Sequence, residues 1–282
     1  MNKFNLTPEQ IKDICYNAGS LEKAAEVIGC GRETIRYWTI KYNIPQLHTQ
    51  GKRVYDVDHE FFNKIDDLDI GHKAAYWLGF IAGDGNIDKE LNSIKIELGI
   101  VDKSHIEKFK KDIGYTGKIF KTQHLRHNKP TVNSCYIKVN SRKLVYSLQE
   151  FNFFGGNKTF TYTFPEILEN HNFTSDFCRG YFDAEGCFDF RYKTPRIRIA
   201  SCNLGFLEKM HEVIFKNCNL EPPIKTPIYK NKKLNYNDCY SLEYYNKIYG
   251  IPIIKWLYSS LQKYNDITYL DRKFETIKNQ LL

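Results

Sequence analysis

Two apolar stretches of this chain end in the same way and are followed by the same order of elements. The run from Lys73 to Gly85 closes on WLGFIAGDG, and the run from Thr174 to Gly186, TSDFCRGYFDAEG, closes on AEG, so Asp84 and Glu185 fall 101 positions apart. After Gly85 come a short strand, the alternating strand SIKIELGI, the helix SHIEKFKKDIG, the strands KIFKTQHL and NSCYIKVN, and the helix SRKLVYSLQEFNF. After Gly186 come CFDFRYK, the strand RIRIAS, the helix LGFLEKMHEVIFKNC, strands near IKTPIYK and DCYSLEYY, and the helix KIYGIPIIKWLYSSL. Each half therefore reads helix-strand-strand-helix-strand-strand-helix. Such duplication predicts an α+β protein built from two pseudo-symmetric αββαββα units.

The leading helices carry a further constraint. Gly79 and Gly83 lie four apart, as do Gly180 and Ala184, which gives each helix a stripe free of bulky side chains along which another backbone can approach. If the two helices pack in the same direction, Asp84 and Glu185 converge at their C-terminal ends, where the helix dipole is already negative, and Gly85 and Gly186 let the chain turn away. Two facing carboxylates repel unless cations lie between them, so the pattern points to a divalent-metal site. DGNID also sets Asp84, Asn86 and Asp88 at alternate positions, as a calcium loop would, but Lys89 and Lys95 stand where that loop needs Gly and Glu.

Upstream, three short helices are expected. Thr7 can cap a helix that begins at Pro8 and ends at Gly19, and Ser20 caps a second with Leu21, Ala24, Ala25 and Ile28 on its apolar face. In a third, Ile35, Trp38 and Tyr42 share one side and leave Arg32, Glu33, Thr34, Arg36 and Tyr37 toward the other. This arrangement resembles the helix-turn-helix DNA-binding family, which makes Arg32, Thr34, Arg36 and Tyr37 candidate DNA contacts; an ordinary three-helix bundle contacting protein is the alternative. Ile44-Pro45 stops the third helix. The expected division is a helix-turn-helix domain over 1–46, a linker over 47–72 in which Lys52 and Arg53 can touch phosphate and Phe61 and Phe62 anchor the chain on the next domain, and two units over 73–170 and 171–282.

Charge agrees with a polyanionic partner: 41 Lys and Arg stand against 33 Asp and Glu, net +8. No apolar run is long enough to span a bilayer and MNKFNLTPEQIKD has no hydrophobic signal core, so the expectation is a cytoplasmic protein of a bacterial or phage-infected cell with no membrane partner. The eight cysteines form no CxxC pair and read as reduced thiols, and the one close histidine pair, His124 and His127, lacks further ligands at metal spacing.

WLGFIAGDG and CRGYFDAEG, taken together, resemble the two signature copies of the single-chain LAGLIDADG homing endonucleases, and the resemblance covers roughly Phe61 to the C-terminus. The N-terminal segment with HEFFNKID and AAYWLGFIAGDG is similar to the phage and bacterial branch of that family. The resemblance implies a monomeric, metal-dependent double-strand DNA endonuclease of the kind encoded by mobile introns. Its two saddle-shaped sheets would lie in the major groove, with Mg²⁺ (or Mn²⁺ or Ca²⁺) at the base of the paired helices. Asp84 and Glu185 correspond to the metal-binding acids, and Lys158 in FGGNKT and Lys273 in YLDRKFE to the basic partner beyond the third helix of each unit. The family has an acid two positions before the ligand; Asp183 keeps it and Ala82 does not, but that position is not the family's metal ligand, so activity is still implied, and the differing acids Asp84 and Glu185 imply unequal metal geometry and unequal cleavage of the two strands.

On this reading the double-stranded DNA target is long and asymmetric, because the two halves differ and an extra domain extends the footprint. DNA contacts are expected on the strand faces away from the helices. In SIKIELGI, Ser93, Lys95 and Glu97 point out while Ile94, Ile96 and Leu98 pack in; in RIRIAS, Arg196 and Arg198 alternate with Ile197 and Ile199. Lys121, Lys138, Arg142, Arg191 and Lys193 complete the set. Two other functions fit the same scaffold: a catalytically silent DNA-binding regulator, and an RNA maturase that assists intron splicing.

Overall fold

The computed structural model describes residues 6–42, 44, 55–88, 90–126, 129–155, 158–191, 194–221, 227–231 and 239–281. Lys52, Arg53 and Lys193 lie outside them. The chain divides into two compact units, residues 1–55 and 56–282.

The smaller unit contains α1 (Pro8–Ala18), α2 (Leu21–Ile28) and α3 (Arg32–Lys41). Its start is fixed by a capping box: Thr7 Oγ1 accepts from Gln10 N at 3.2 Å while Gln10 Oε1 accepts from Thr7 N at 2.9 Å. Gly19 and Gly29 end α1 and α2 with φ of 70° and 75°, the left-handed conformation in which a side chain is strained. Ile11, Cys15, Leu21, Ala24, Ala25, Ile35 and Trp38 form the shared core. Thr7→Ala should cost about 1 kcal/mol of this unit's stability. Thermal unfolding followed through helical circular dichroism checks it, and an unchanged midpoint would remove the cap from the account.

The larger unit is two αββαββα repeats. The first comprises α4 (Gly71–Asp84), β1 (Gly85–Ile87), β2 (Ser93–Gly99), α5 (Lys103–Asp112), β3 (Phe120–Arg126), β4 (Lys129–Asn140) and α6 (Arg142–Ser147). A short helix, α7 (Lys158–Thr161), leads to the second: α8 (Thr174–Glu185), β5 (Gly186–Arg191), β6 (Thr194–Ser201), α9 (Leu204–Cys218), β7 (Ile228–Asn231), β8 (Cys239–Tyr245) and α10 (Lys247–Leu257), followed by α11 (Asp271–Leu281). Each repeat makes a four-stranded antiparallel sheet, in the orders β1-β2-β4-β3 and β5-β6-β8-β7. The fold is thus α+β, with both sheets and their helices arranged as the duplicated sequence pattern implies. None of the helices among the described residues is long and apolar enough to cross a membrane.

Residues 56–72 belong to this larger unit. Phe61 and Phe62 are buried in its core with their rings edge to face, which fixes the entry to α4.

α4 and α8 meet along their small residues. A Cβ built on Gly79 would lie 1.9 Å from the Phe177 carbonyl oxygen, and one on Gly180 would lie 1.9 Å from that of Tyr76, so the backbones touch reciprocally about a pseudo-two-fold axis. Further along, Gly83 faces Ala184 and Glu185, which shows that the helices run in the same direction. Gly85 and Gly186 follow with φ of −76° and −94°, extended backbone that any residue adopts. Space, not conformational freedom, selects glycine there: a Cβ would meet the Ile81 carbonyl oxygen at 2.7 Å and the Phe182 carbonyl oxygen at 2.5 Å.

Around this seam lies a fully buried polar network. The Tyr76 hydroxyl donates to Asp183 Oδ2 at 2.7 Å and approaches His105 Nε2 at 3.1 Å, while the Leu270 N–H donates to the same carboxyl at 2.8 Å. Burial pushes His105 down to about 3, so its ring is neutral. Arg179 and Asp176 pair at 2.7 Å with no exposure, and Arg179 also donates to the Leu257 and Thr268 carbonyls. The ion pair and the two carbonyls offset the cost of burying the guanidinium.

Candidate functional site

Asp84 and Glu185 are the last residues of α4 and α8, and the close approach of the two helices brings their carboxylates into one crowded concavity that opens to solvent. The surrounding protein, and then the charge of Glu185, raise Asp84 to about 6. Glu185 is raised as well, chiefly by the same crowding. Both carboxylates remain surface-accessible, so the perturbation comes from a recess walled on most sides and not from full enclosure.

Two lysines answer the negative helix ends. Lys158, the first residue of α7, donates its Nζ to the carbonyls of Ala82 at 2.6 Å and Gly83 at 2.5 Å. Lys273, on α11, donates to the carbonyls of Phe182 at 2.8 Å, Asp183 at 2.6 Å and Gly186 at 2.6 Å. The cations therefore bind the unsatisfied carbonyls of the helix ends and sit beside both acids. Burial lowers Lys158 to about 8 against the opposing pull of Glu185 and Asp84, and lowers Lys273 too. Asp183 lies beside Lys273 and lowers the cost of burying that charge; Ala82 offers Lys158 only a carbonyl.

The donor set fits a hard divalent cation. Among the described residues no cluster of three or more His, Cys, Asp or Glu could hold a metal, so at this site the described residues offer two carboxylates and not an all-protein cage. Mg²⁺ is commonly held in that way, by one or two carboxylates with water and substrate phosphates completing the shell.

The strand register sorts the expected DNA contacts. On the first sheet Lys95 lies opposite Lys138, and Glu97 opposite Tyr136, all on the face away from buried Ile94, Ile96, Ile137 and Val139. Lys95 bonds Glu97 at 2.6 Å and stands 4.7 Å over the Tyr136 ring. Three residues of the expected set fall elsewhere. Ser93 is only 2% exposed and donates its hydroxyl to Asp88 at 2.7 Å, because it closes the β1–β2 turn. Lys121 lies opposite Cys135, whose side chain is in the core, so it projects from the helix side of the edge strand β3. Arg142 opens α6 and bonds Asn92, away from the strand row.

On the second sheet Arg198 is exposed opposite Cys187 and Glu243, and Arg196 bonds Glu243 at 3.2 Å with its guanidinium 5.0 Å from the Tyr245 ring. Lys95 and Arg198 occupy matching places in the two repeats, since Lys95 lies opposite Asn86 and Arg198 opposite Cys187, each one residue after the glycine that follows the leading helix. Arg191 is the last residue of β5. In the three-helix unit Arg32 pairs with Glu22 at 2.8 Å and Arg36 with Glu33 at 3.5 Å, Tyr37 is exposed and Thr34 half-buried.

Sequence reasoning did not reach the hydrogen-bond partners Tyr76, Tyr258 and Leu270 of Asp183, nor the helix α11 that delivers Lys273. DRKFETIKNQL does carry an apolar spacing at Phe274, Ile277 and Leu281 that could have revealed that helix.

No protein-family model matches the chain. Among curated proteins it is 26% identical over 155 residues to an uncharacterised protein of Methanocaldococcus jannaschii, covering 51% of this chain and 56% of that one. It is 25% identical over 164 residues to the replication factor C small subunit of the same organism, covering 55% and 9%. It is also 26% identical over 210 residues to the ribonucleoside-diphosphate reductase NrdEB subunit alpha of Bacillus subtilis, covering 68% and 18%. The chain thus spans little more than half of the first relative and less than a fifth of the others. Among solved structures it is similar to mesophilic variants of the homing endonuclease I-DmoI, at 20% identity and a TM-score of 0.43 over 73% of this chain and 100% of that one. It is similar as well to the N-terminal LAGLIDADG domain of DUF199/WhiA, at 13% identity and a TM-score of 0.39 over 71% and 89%.

Proposed function

We propose that the larger unit is a site-specific, divalent-metal-dependent double-strand DNA endonuclease of the LAGLIDADG homing type, with the three-helix unit acting as a helix-turn-helix that lengthens its footprint. The observation that carries the reading is the meeting of Asp84 and Glu185 at a pseudo-two-fold axis, with Lys158 and Lys273, both lowered by burial, beside them. Mg²⁺, for which Mn²⁺ or Ca²⁺ can substitute at the same oxygens, would supply Lewis acidity at the scissile phosphates when held by these two residues. Asp84 and Glu185 orient it. Lys158, at about 8, keeps a proton on Nζ at neutral pH and is poised to give it up near the leaving oxygen. Lys95, Glu97, Lys138, Arg196 and Arg198 supply the major-groove faces, and Arg32, Thr34, Arg36 and Tyr37 the additional contacts. A monomer with unlike halves suits a long asymmetric target.

A second reading, a DNA-binding regulator without catalysis, is favoured by one feature: both lysines spend their donors on main-chain carbonyls. Incubating the full chain with a library of random duplexes separates the readings. The expected result is recovery of one long target cut on both strands in Mg²⁺ and intact in EDTA. Salt-sensitive duplex binding that never leads to cutting in Mg²⁺ or Mn²⁺ establishes the regulator, and preference for intron RNA over duplex establishes a maturase. Binding that ignores salt overturns all three, since phosphate contacts release counterions.

A further inference from the structure

Beside the two acids, Ala82, Gly83, Lys158, Glu185, Cys202 and Cys239 border one recess of about 110 Å³. The last paired residues of β6 and β8 are Ser201 and Tyr240, so Cys202 and Cys239 are the next pair along the same register. Directly opposed residues of an antiparallel pair bring their Cβ atoms close to the separation that a disulfide spans. Here the two Sγ atoms lie 2.7 Å apart, and both residues are half-buried, within reach of a small reagent.

Cys202 also adjoins the residue that anchors α7. Asn203 Nδ2 donates to the Phe160 carbonyl at 3.0 Å and the Tyr162 carbonyl at 2.9 Å, while its Oδ1 caps α9 by accepting from Phe206 N at 3.2 Å. Those two carbonyls belong to the segment that starts at Lys158, whose Nζ holds the end of α4. A covalent change at Cys202 is therefore one residue away from the support of Lys158.

We propose that Cys202 and Cys239 are a redox modification site, a vicinal thiol pair that low-molecular-weight disulfides oxidise to an intramolecular disulfide, fixing the strand ends against the Lys158 segment. The thiolate of one cysteine attacks a sulfur of the external disulfide, breaking its S–S bond and expelling one thiolate. The second cysteine's thiolate attacks the protein sulfur of the mixed disulfide and expels the other. Two protein thiols are oxidised, one external disulfide is reduced, and the two cysteine protons end on the two released thiols.

The full chain is treated with oxidised glutathione, alkylated, digested and mapped by mass spectrometry. The expected product is a Cys202–Cys239 crosslink that dithiothreitol removes. Because it ties positions 37 apart, it should raise the melting temperature by several degrees, and Cys239→Ser should show neither effect. Reductive methylation of Lys158 should differ severalfold between the oxidised and reduced forms. Glutathionylation of exposed Cys187 confirms that the reagent is active. If Cys187 reacts while Cys202 and Cys239 both stay alkylatable, or if either pairs with another cysteine, the site is overturned; equal labelling of Lys158 overturns its coupling. Neither DNA nor metal is needed, so this result and the nuclease test fail independently.

Discussion

Gly180→Ala should destabilise the protein by about 3 kcal/mol or more, the upper end of what overpacking a tight core costs. The added Cβ would sit 1.9 Å from the Tyr76 carbonyl oxygen and 2.8 Å from the Phe80 nitrogen. Both are main-chain atoms of α4, so no rotamer change relieves the clash and the helices must part. Gly79→Ala should do the same from the other side, against the Phe177 carbonyl oxygen at 1.9 Å. Parting the helices separates Asp84 from Glu185, so divalent-cation affinity should fall with stability in both variants. Gly205→Ala is the control: its nearest contact would be Asn203 Oδ1 at 3.6 Å, and its effect should stay within about 0.5 kcal/mol. Urea unfolding and calorimetric Mg²⁺ titration read both quantities. Wild-type stability in Gly180→Ala would mean that the backbones are not in contact.

Asp84→Asn should divide stability from function. Crowding, and then Glu185, raise this carboxyl from 3.8 to about 6, so the folded protein holds the proton more tightly than the unfolded chain does. A raised carboxyl is a cost of the ionised form: the penalty is absent below about 4, grows as pH rises through about 6, and is complete above it. A shift of roughly two units corresponds to about 3 kcal/mol, but the carboxylate reaches water, and solvent screening cuts that to about 1 kcal/mol. Without metal at pH 8, Asp84→Asn should therefore melt higher than the wild type, and the gain should shrink as pH falls through 6. Cleavage should drop by at least about 10²-fold, as expected when a group that stabilises charge in the transition state is lost. In the wild type, Mg²⁺ affinity should weaken as pH falls through 6, because protons compete for Asp84. A variant that melts lower than wild type at pH 8 would show that the two carboxylates do not repel.

The asymmetry between the repeats looks different once the partners are visible. From the nonapeptides alone, Ala82 reads as a lost acid in one half of a symmetric centre. In the structure Asp183 faces away from the concavity. It accepts from Tyr76 at 2.7 Å and from Leu270 N at 2.8 Å, and lies 3.4 Å from the Tyr258 hydroxyl, so its role is to join α4, α8 and the approach to α11. Ala82 at the matching place simply has no such partners to satisfy. The difference reaches the site through the lysines, since Lys273 has the Asp183 carboxylate beside it in addition to Asp84, whereas Lys158 has only Glu185 and Asp84.

Periodicity and repetition in the sequence were enough to determine the duplicated αββαββα order, the small-residue stripe, the acids at the helix ends and the alternation that turns Lys95, Arg196 and Arg198 outward. These are local properties, set by a side-chain period of two or 3.6 and by the residues that cap or break an element. Tertiary structure alone decided the rest. It made glycine obligatory at positions 85 and 186 through contact with a preceding carbonyl, sent Lys121 to the helix side through its pairing with Cys135, and placed Lys158 and Lys273 on the helix ends. It also set Cys202 against Cys239. Each depends on which distant backbone arrives within a few ångströms, and pairwise proximity across long stretches of chain leaves no mark in a period.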